Sequence, residues 1–412
     1  MSAIFGAIDF SGKEVSRALG ENFLANYQKY KIDRMEQISE GNLFMGCGIQ
    51  YFNHEAEREQ LPYYDAERNI FFTADCVIDN REELIETLGL ENNVPDGRII
   101  LEAYYKWGKG CLQKLRGPFS FVVYERETGK VFMAVDHFAQ RCLMYHLRDG
   151  VLYFSTLLFP MIDSLGLKFF ENERWLLDSI SVRGAIMVSE PKETSVQDVY
   201  KVVAGNYIEF YLKEDNKIYK NEVRYFNPER DVKTDYTITQ EQSEKMIRSV
   251  MSKNISQIIR EDVEIASQLS SGLDSSTVAC TAAGQLAARG RTLYTYTSVP
   301  DKDANLKNKG YFVTDEREGV EKICREYPNI EPTFVDTKGR NILKEIDDIL
   351  DCWEMPCKSQ QNAIWVDEIS KLASKRGCRI LLCGATGNTT LSAGDNACAF
   401  AYYAKRLRFI KA

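Results

Sequence analysis

Histidine is nearly missing from this chain: His54, His137 and His146 are the only three in 412 residues. None sits at a metal-ligand spacing, which argues against a histidine-rich zinc centre. Nothing arranges them for a Ser-His-Asp relay either. Long apolar runs are missing too, and none approaches the length of a membrane span. The opening residues, "MSAIFGAIDFSG", show no basic stretch ahead of a long apolar one, so they do not read as a secretion signal. There is also no basic excess. A net charge of −8 and a pI near 5.3 argue against nucleic acid as the main partner, because a phosphate backbone needs a basic face. Eleven cysteines are present without paired spacing, which predicts reduced thiols in a cytoplasmic protein.

What is present is enough chain for two cores. The first half alternates β-like runs such as "AIFGAIDF", "LFMGCGIQYF", "IFFTADCVI", "PFSFVVYE" and "KVFMAVDH" with polar turns. "REELIETLGL" and "GRIILEAYYKWG" read as amphipathic helices between them. The polar stretch "NPERDVKTDYTITQEQ" reads as a linker. After it the pattern changes to strict alternation: "VEIASQL" strand, "STVACTAAGQLAARG" helix, "LYTYTSV" strand, "EGVEKICREY" helix, "EPTFVD" strand, "NILKEIDDIL" helix, then "CRILLCG". Such alternation predicts a doubly wound parallel sheet. "DCWEMPCKSQQNAIW" reads as core with a proline turn.

One junction carries chemistry. Between the strand "VEIASQL" and the helix that follows lies "SSGLDSS", residues 270–276. Ligands of such sheets sit beyond the carboxyl ends of the strands. Gly272 lets backbone approach a ligand, and successive N–H groups at a helix N-terminus make an anion site. Ser270, Ser271, Ser275 and Ser276 add hydroxyls. Asp274 is out of place beside an anion unless a divalent cation such as Mg²⁺ lies between them. Helix capping alone needs one Ser or Asp, not this many. The lysine of the Walker loop is absent.

"LSSGLDSS" resembles the SGGxDS pyrophosphate loop of the ATP pyrophosphatases, in the setting of the asparagine synthetase family, with Ser271 in place of one glycine. "DNREEL" (79–84), "RGPFSFVVYE" (116–125), "DHFAQRCLMYH" (136–146) and "RYFNP" (224–228) are similar to landmarks of that family. The resemblance implies a fold in two parts. One is an N-terminal glutaminase-like αββα domain over 1–215, followed by a linker over 216–240. The other is an α/β ATP pyrophosphatase domain over 241–412. Relatives run on beyond the last motif, so this domain is expected to be C-terminally incomplete. The resemblance also implies ATP and Mg²⁺ as cofactors. The ATP contacts it implies are Leu269, Ser270, Ser271, Gly272, Leu273, Asp274, Ser275, Ser276, Ser298, Asp315, Glu316, Cys383 and Gly384, with Asp274 and Asn388 as metal ligands.

The chain departs from the family at telling places. The nucleophilic cysteine after the initiator Met is here Ser2, a weaker nucleophile. The Asn-Gly pair that helps hold the tetrahedral intermediate is here Asp75-Cys76, and a carboxylate is a poor oxyanion donor. Asp96 either keeps the place of the acid that binds the glutamine amine or caps a helix. Glutaminase activity is therefore expected to be lost. The acidic residues of GEGxDE have become Ala385, Asn388 and Thr389 in "GATGNTTLS". These departures are similar to those of lasso-peptide cyclases. The expected reaction is adenylation of a carboxylate, of a peptide or of aspartate, followed by attack of an amine. Macrolactam closure would bring a precursor peptide and a protease as partners. The alternatives are a glutamine-hydrolysing asparagine synthetase and a non-catalytic scaffold. A homodimer is compatible with either enzyme, and neither a membrane nor a nucleic acid is expected as partner.

Overall fold

The structure is a computed structural model that describes residues 3–181, 189–233, 235, 237–301, 313–355, 360–390 and 392. Contacts divide the chain into two units, 1–236 with 346–359 and 237–345 with 360–412.

The first unit holds twelve strands among its described residues: β1 (Ala3–Asp9), β2 (Arg34–Glu40), β3 (Leu43–Ile49), β4 (Tyr63–Asp65), β5 (Ile70–Cys76), β6 (Phe119–Glu125), β7 (Lys130–Val135), β8 (Met144–Arg148), β9 (Val151–Ser155), β10 (Tyr200–Lys201), β11 (Asn206–Leu212) and β12 (Ile218–Arg224). They form two six-stranded antiparallel sheets, ordered β10-β8-β9-β1-β3-β2 and β12-β11-β7-β6-β5-β4. Its helices are α1 (Arg17–Tyr27), α2 (His54–Glu57), α3 (Arg81–Leu88), α4 (Asp96–Trp107), α5 (Leu158–Leu165), α6 (Glu173–Ser181) and α7 (Pro228–Asp231).

The layering follows from period-two alternation. On β1, Ile4 and Ile8 join the core shared with Phe71, Val122 and Tyr124 of the other sheet. Ala3, Phe5 and Ala7 point the opposite way, onto Phe23 and Tyr27 of α1 and Met161 of α5. Phe5 stacks on Tyr27 at 4.2 Å between centroids. Gly46 makes room for it, since a Cβ there would lie 2.2 Å from the Phe5 ring. Ile99, Ile100 and Ala103 of α4 cover the outer face of the second sheet, where Tyr104 meets Phe132. The result is an αββα sandwich. Because both faces of β1 and β3 are covered, every residue of both strands is buried. The stretch expected as linker, 216–240, contains β12.

The second unit has α8 (Gln240–Ile258), β13 (Glu264–Gln268), α9 (Leu273–Ala287), β14 (Leu293–Ser298), α10 (Arg317–Glu326), β15 (Ile330–Val335), α11 (Ile342–Trp353), α12 (Gln360–Arg376) and β16 (Cys378–Leu382). The division between the units falls within α11. All four strands run parallel, in the order β15-β14-β13-β16. Ile265 of β13 faces α8 and α9, while Ala266 faces α12 through Ile369 and Ala373. Helices thus cover both faces, as the alternation predicted. Ala279, Ala282, Ala283 and Leu286 form the buried stripe of α9, at the i, i+3, i+4, i+7 spacing of one helix face. The chain leaves β13 toward β14 on one side and returns to β16 on the other. The crevice beyond β13 and β16 is therefore the topological switch point, where doubly wound sheets bind ligands.

Candidate functional site

The turn after β13 lies at that switch point, and its polar groups are ordered by one another. The Ser270 N–H donates to Ser275 Oγ at 3.0 Å, and the two hydroxyls are 2.7 Å apart. The Gly272 N–H donates to Ser270 Oγ at 3.1 Å. Ser276 donates its hydroxyl to the Gly272 carbonyl at 2.7 Å. Ser271 faces outward, and its N–H donates to Glu316 Oε2 at 2.9 Å, where its hydroxyl donates as well. Leu273 is 76% exposed, an unusual place for leucine at the first turn of a helix. Leu269, by contrast, is buried and donates its N–H to the Tyr296 carbonyl at 3.0 Å, which pins the start of the turn to β14.

Asp274 begins α9. Its Oδ1 is buried and has no hydrogen-bond partner among the described residues. A buried carboxylate oxygen without a donor is costly, so a cation is the natural complement. The loop after β16 presses against this point. A Cβ on Gly387 would lie 2.2 Å from Asp274 Cγ, and one on Gly384 would lie 2.5 Å from the Ser275 nitrogen. Both positions must therefore be glycine for the two loops to meet. Cys383 is exposed beside them. The Asn388 carbonyl oxygen accepts the Ser392 hydroxyl at 3.2 Å. Ser298 ends β14 at the same edge of the sheet. Asp315 is tied to Arg317 at 2.5 Å, so only Glu316 of that pair reaches the turn. Among the described residues there is no group of three or more His, Cys, Asp or Glu able to hold a metal.

In the first unit Ser2 lies outside the described residues. Asp75 and Cys76 are neighbours on β5, so their side chains point to opposite faces. Asp75 is 1% exposed and sits 3.4 Å from Arg141 Nε, its carboxylate oxygens without hydrogen bonds among the described residues. Burial raises its carboxyl pKa and Arg141 only partly offsets this. Cys76 lines a small cavity of about 20 Å³ together with Cys47, Glu59 and Asp96. Burial pushes both thiols well above their ordinary range. Asp96 accepts the Ile78 N–H at 2.8 Å and forms a buried ion pair with Arg81. It is the first residue of α4. Glu59 accepts the Gly97 N–H at 2.9 Å.

Glu59, Arg81 and Gly387 were not among the expected site residues. Arg81 stands within "DNREEL", whose landmark value hid the charge it supplies to Asp96. Glu59 lies in a loop without periodicity, and nothing local marks it.

The comparisons can now be set beside this geometry. The family described as "Glutamine amidotransferase domain" matches residues 50–162, and that described as "Asparagine synthase" matches 246–408. The chain is asparagine-synthetase-like. The "Asparagine synthetase [glutamine-hydrolyzing] 3" of Bacillus subtilis (strain 168) is 23% identical over 234 residues, 56% of this chain and 36% of that protein. "Amidase chry2" of Gibberella zeae is 24% identical over 195 residues, 45% of this chain and 26% of that protein. The chain thus spans well under half the length of these curated relatives. A solved glutamine phosphoribosylpyrophosphate amidotransferase of B. subtilis superposes with a TM-score of 0.40 at 11% identity, over 82% of this chain and 91% of that one.

The two matched families coincide with the two architectures, an amidotransferase-type αββα domain and an α/β domain with a parallel sheet. ATP use is typical of asparagine-synthase-like domains, and the fit of Mg²⁺ can be tested on the residues present. Asp274 offers one unpartnered carboxylate oxygen and Asn388 a neutral carbonyl. Mg²⁺ is usually held by one or two carboxylates together with substrate phosphate oxygens and water. A sparse protein ligand set of this kind fits that habit. Among the described residues no helix is long and apolar enough to cross a membrane.

Proposed function

We propose that this asparagine-synthetase-like chain belongs to an ATP-dependent ligase that adenylates a carboxylate, releases pyrophosphate and passes the acyl group to an amine. The observation that carries the reading is the turn at 270–276, with its clustered hydroxyls, its helix N-terminus and the unpartnered oxygen of Asp274. In this reading the N–H groups and hydroxyls of the turn hold the leaving phosphates. Mg²⁺ held by Asp274, with Asn388 as a neutral ligand, would supply charge neutralisation as pyrophosphate departs. Leu269 anchors the turn, while Ser298, Cys383 and Gly384 lie on the crevice side where the nucleoside would rest.

The relatives favour aspartate as the carboxylate, since an asparagine synthetase stands among them. That protein's name also specifies glutamine hydrolysis. In this reading glutamine is not the nitrogen source, because Ser2 and Asp75 stand where a thiol and an oxyanion donor would be needed. The amine then comes from outside, as ammonia or as the amino group of a second molecule. Macrolactam closure of a peptide is the second reading; the loss of the oxyanion donor at Asp75 favours it, and the named relatives do not speak for it.

The test is ATP–pyrophosphate exchange by the full-length protein with aspartate, for wild type and Asp274→Ala. Removing a charge that acts on the developing pyrophosphate is expected to cost on the order of a hundredfold or more. Circular dichroism is expected to stay unchanged. Equal exchange in the two proteins overturns the assignment.

A further inference from the structure

We infer that Ser271 and Glu316 form a latch that holds the phosphate turn shut on an internal carboxylate until a ligand displaces it. The inference rests on the reading of 270–276 as the phosphate site.

Most donors of the turn are spent inside it: Ser270 on Ser275, Gly272 on Ser270, Ser276 on Gly272. Ser271 alone among them sends its N–H and its hydroxyl outward, and both go to the same oxygen of Glu316. A carboxylate oxygen held by a turn N–H and a hydroxyl occupies the place a phosphate oxygen would take. The hydroxyl is this chain's own addition, since the resembling loop has glycine where Ser271 stands. Gly319, one turn along α10 from Glu316, completes the arrangement. A Cβ there would lie 2.4 Å from Ser271 Cβ, so only glycine lets α10 come this close.

Two consequences follow. An entering phosphate chain must break two charge-assisted hydrogen bonds and meets a negative charge until Glu316 moves aside. Displacing Glu316 is also affordable for the fold, because it is only half-buried and water can solvate it once released.

The experiment measures binding of inorganic pyrophosphate to the full-length protein in EDTA by calorimetry, with thermal unfolding as a control for folding. Glu316→Gln keeps the shape and removes the charge, and is expected to tighten binding about tenfold. Ser271→Gly removes the hydroxyl and is expected to tighten it several-fold. Gly319→Ala touches neither latch residue, but pushes α10 off the turn, and is expected to move affinity the same way. The double variant Ser271→Gly/Glu316→Gln should gain less than the two separate gains together, since both act on one contact. Tighter binding by the variants, including variants that bind where wild type does not, supports the latch. Wild-type binding that none of the three single variants improves overturns the latch and leaves the phosphate site standing. Absence of binding by every protein overturns the phosphate site and the latch with it.

Discussion

Glu59 offers the clearest physical test of whether the amidotransferase-like pocket is closed. It is 8% exposed and accepts the backbone N–H groups of Gly97 and Gln60. Burial, with the Asp96 carboxylate adding to it, pushes its pKa up to about 7. Arg34 offsets only part of this, and Arg81 is committed to Asp96, Glu55 and the carbonyls of Asn92 and Val94. In the folded state Glu59 is therefore neutral below about pH 7. The ordinary value is 4.5, so the folded state binds this proton more tightly than the unfolded chain does. The stabilisation from the bound proton is fully present below pH 4.5. It fades as the pH rises and is gone above about 7. At 1.36 kcal/mol per pKa unit the loss is on the order of 3 kcal/mol.

Glu59→Gln mimics the neutral carboxyl at every pH. At pH 5 the variant and wild type should be close in stability. At pH 8 the variant should be the more stable by roughly 3 kcal/mol, which for a domain of this size is a shift of roughly 5–10 °C. Urea unfolding followed by hydrogen exchange of the peptide containing Gly97 confines the signal to this unit. A gap between variant and wild type that is the same at pH 5 and pH 8 would refute the burial argument. A wide-open, hydrated pocket around Glu59 would produce that result.

Glutamine should release no glutamate, because Ser2 and Asp75 stand in place of a thiol and an oxyanion donor; turnover in a glutamate-release assay that vanishes in Ser2→Ala would reopen the glutaminase reading. Gly384→Ala should destabilise the second unit by about 1–3 kcal/mol, because the new Cβ meets backbone at Ser275 rather than a side chain that can swing away; an unchanged urea midpoint would mean that the loop after β16 does not pack as described. Exchange by Asp274→Ala, set out above, completes the set.

Much of the fold was legible because buried strands write themselves into sequence as apolar runs. β1, β3, β5, β6 and β7 all fell within quoted runs, and the strand–helix alternation of the second unit survived intact. β2 escaped because "RMEQISE" is half-exposed along its length and has no apolar face to show. α1 escaped for a similar reason: only Gly20, Phe23 and Tyr27 are buried. α12 was lost inside "DCWEMPCKSQQNAIW", where two tryptophans read as core; Trp353 ends α11 at 37% exposure and Trp365 belongs to the start of α12. The turn at 270–276 was legible as a polar strand–helix junction because serine, glycine and aspartate there are local chemistry. That Glu316 meets Ser271 was not, since 45 residues separate them and only the family resemblance put an acidic pair nearby.

Glu59 and Glu316 do the same thing in two different settings, and the difference decides what each can be. Each carboxylate sits on a backbone N–H close to a helix start, where a ligand's charge would otherwise be welcome. Each is a side chain filling a place the fold leaves for something else. Glu59 cannot leave cheaply, because a group this deeply buried gains no hydration without opening the core around Cys47 and Cys76. Protonation, rather than departure, is therefore how it answers a change in pH. Glu316 lies half-exposed at the start of α10, and water replaces whatever the turn takes away. Its site can open and close within the folded state, at a cost measured in one or two hydrogen bonds. Burial alone thus separates the two carboxylates: one answers pH by taking up a proton, the other can exchange its partners for water.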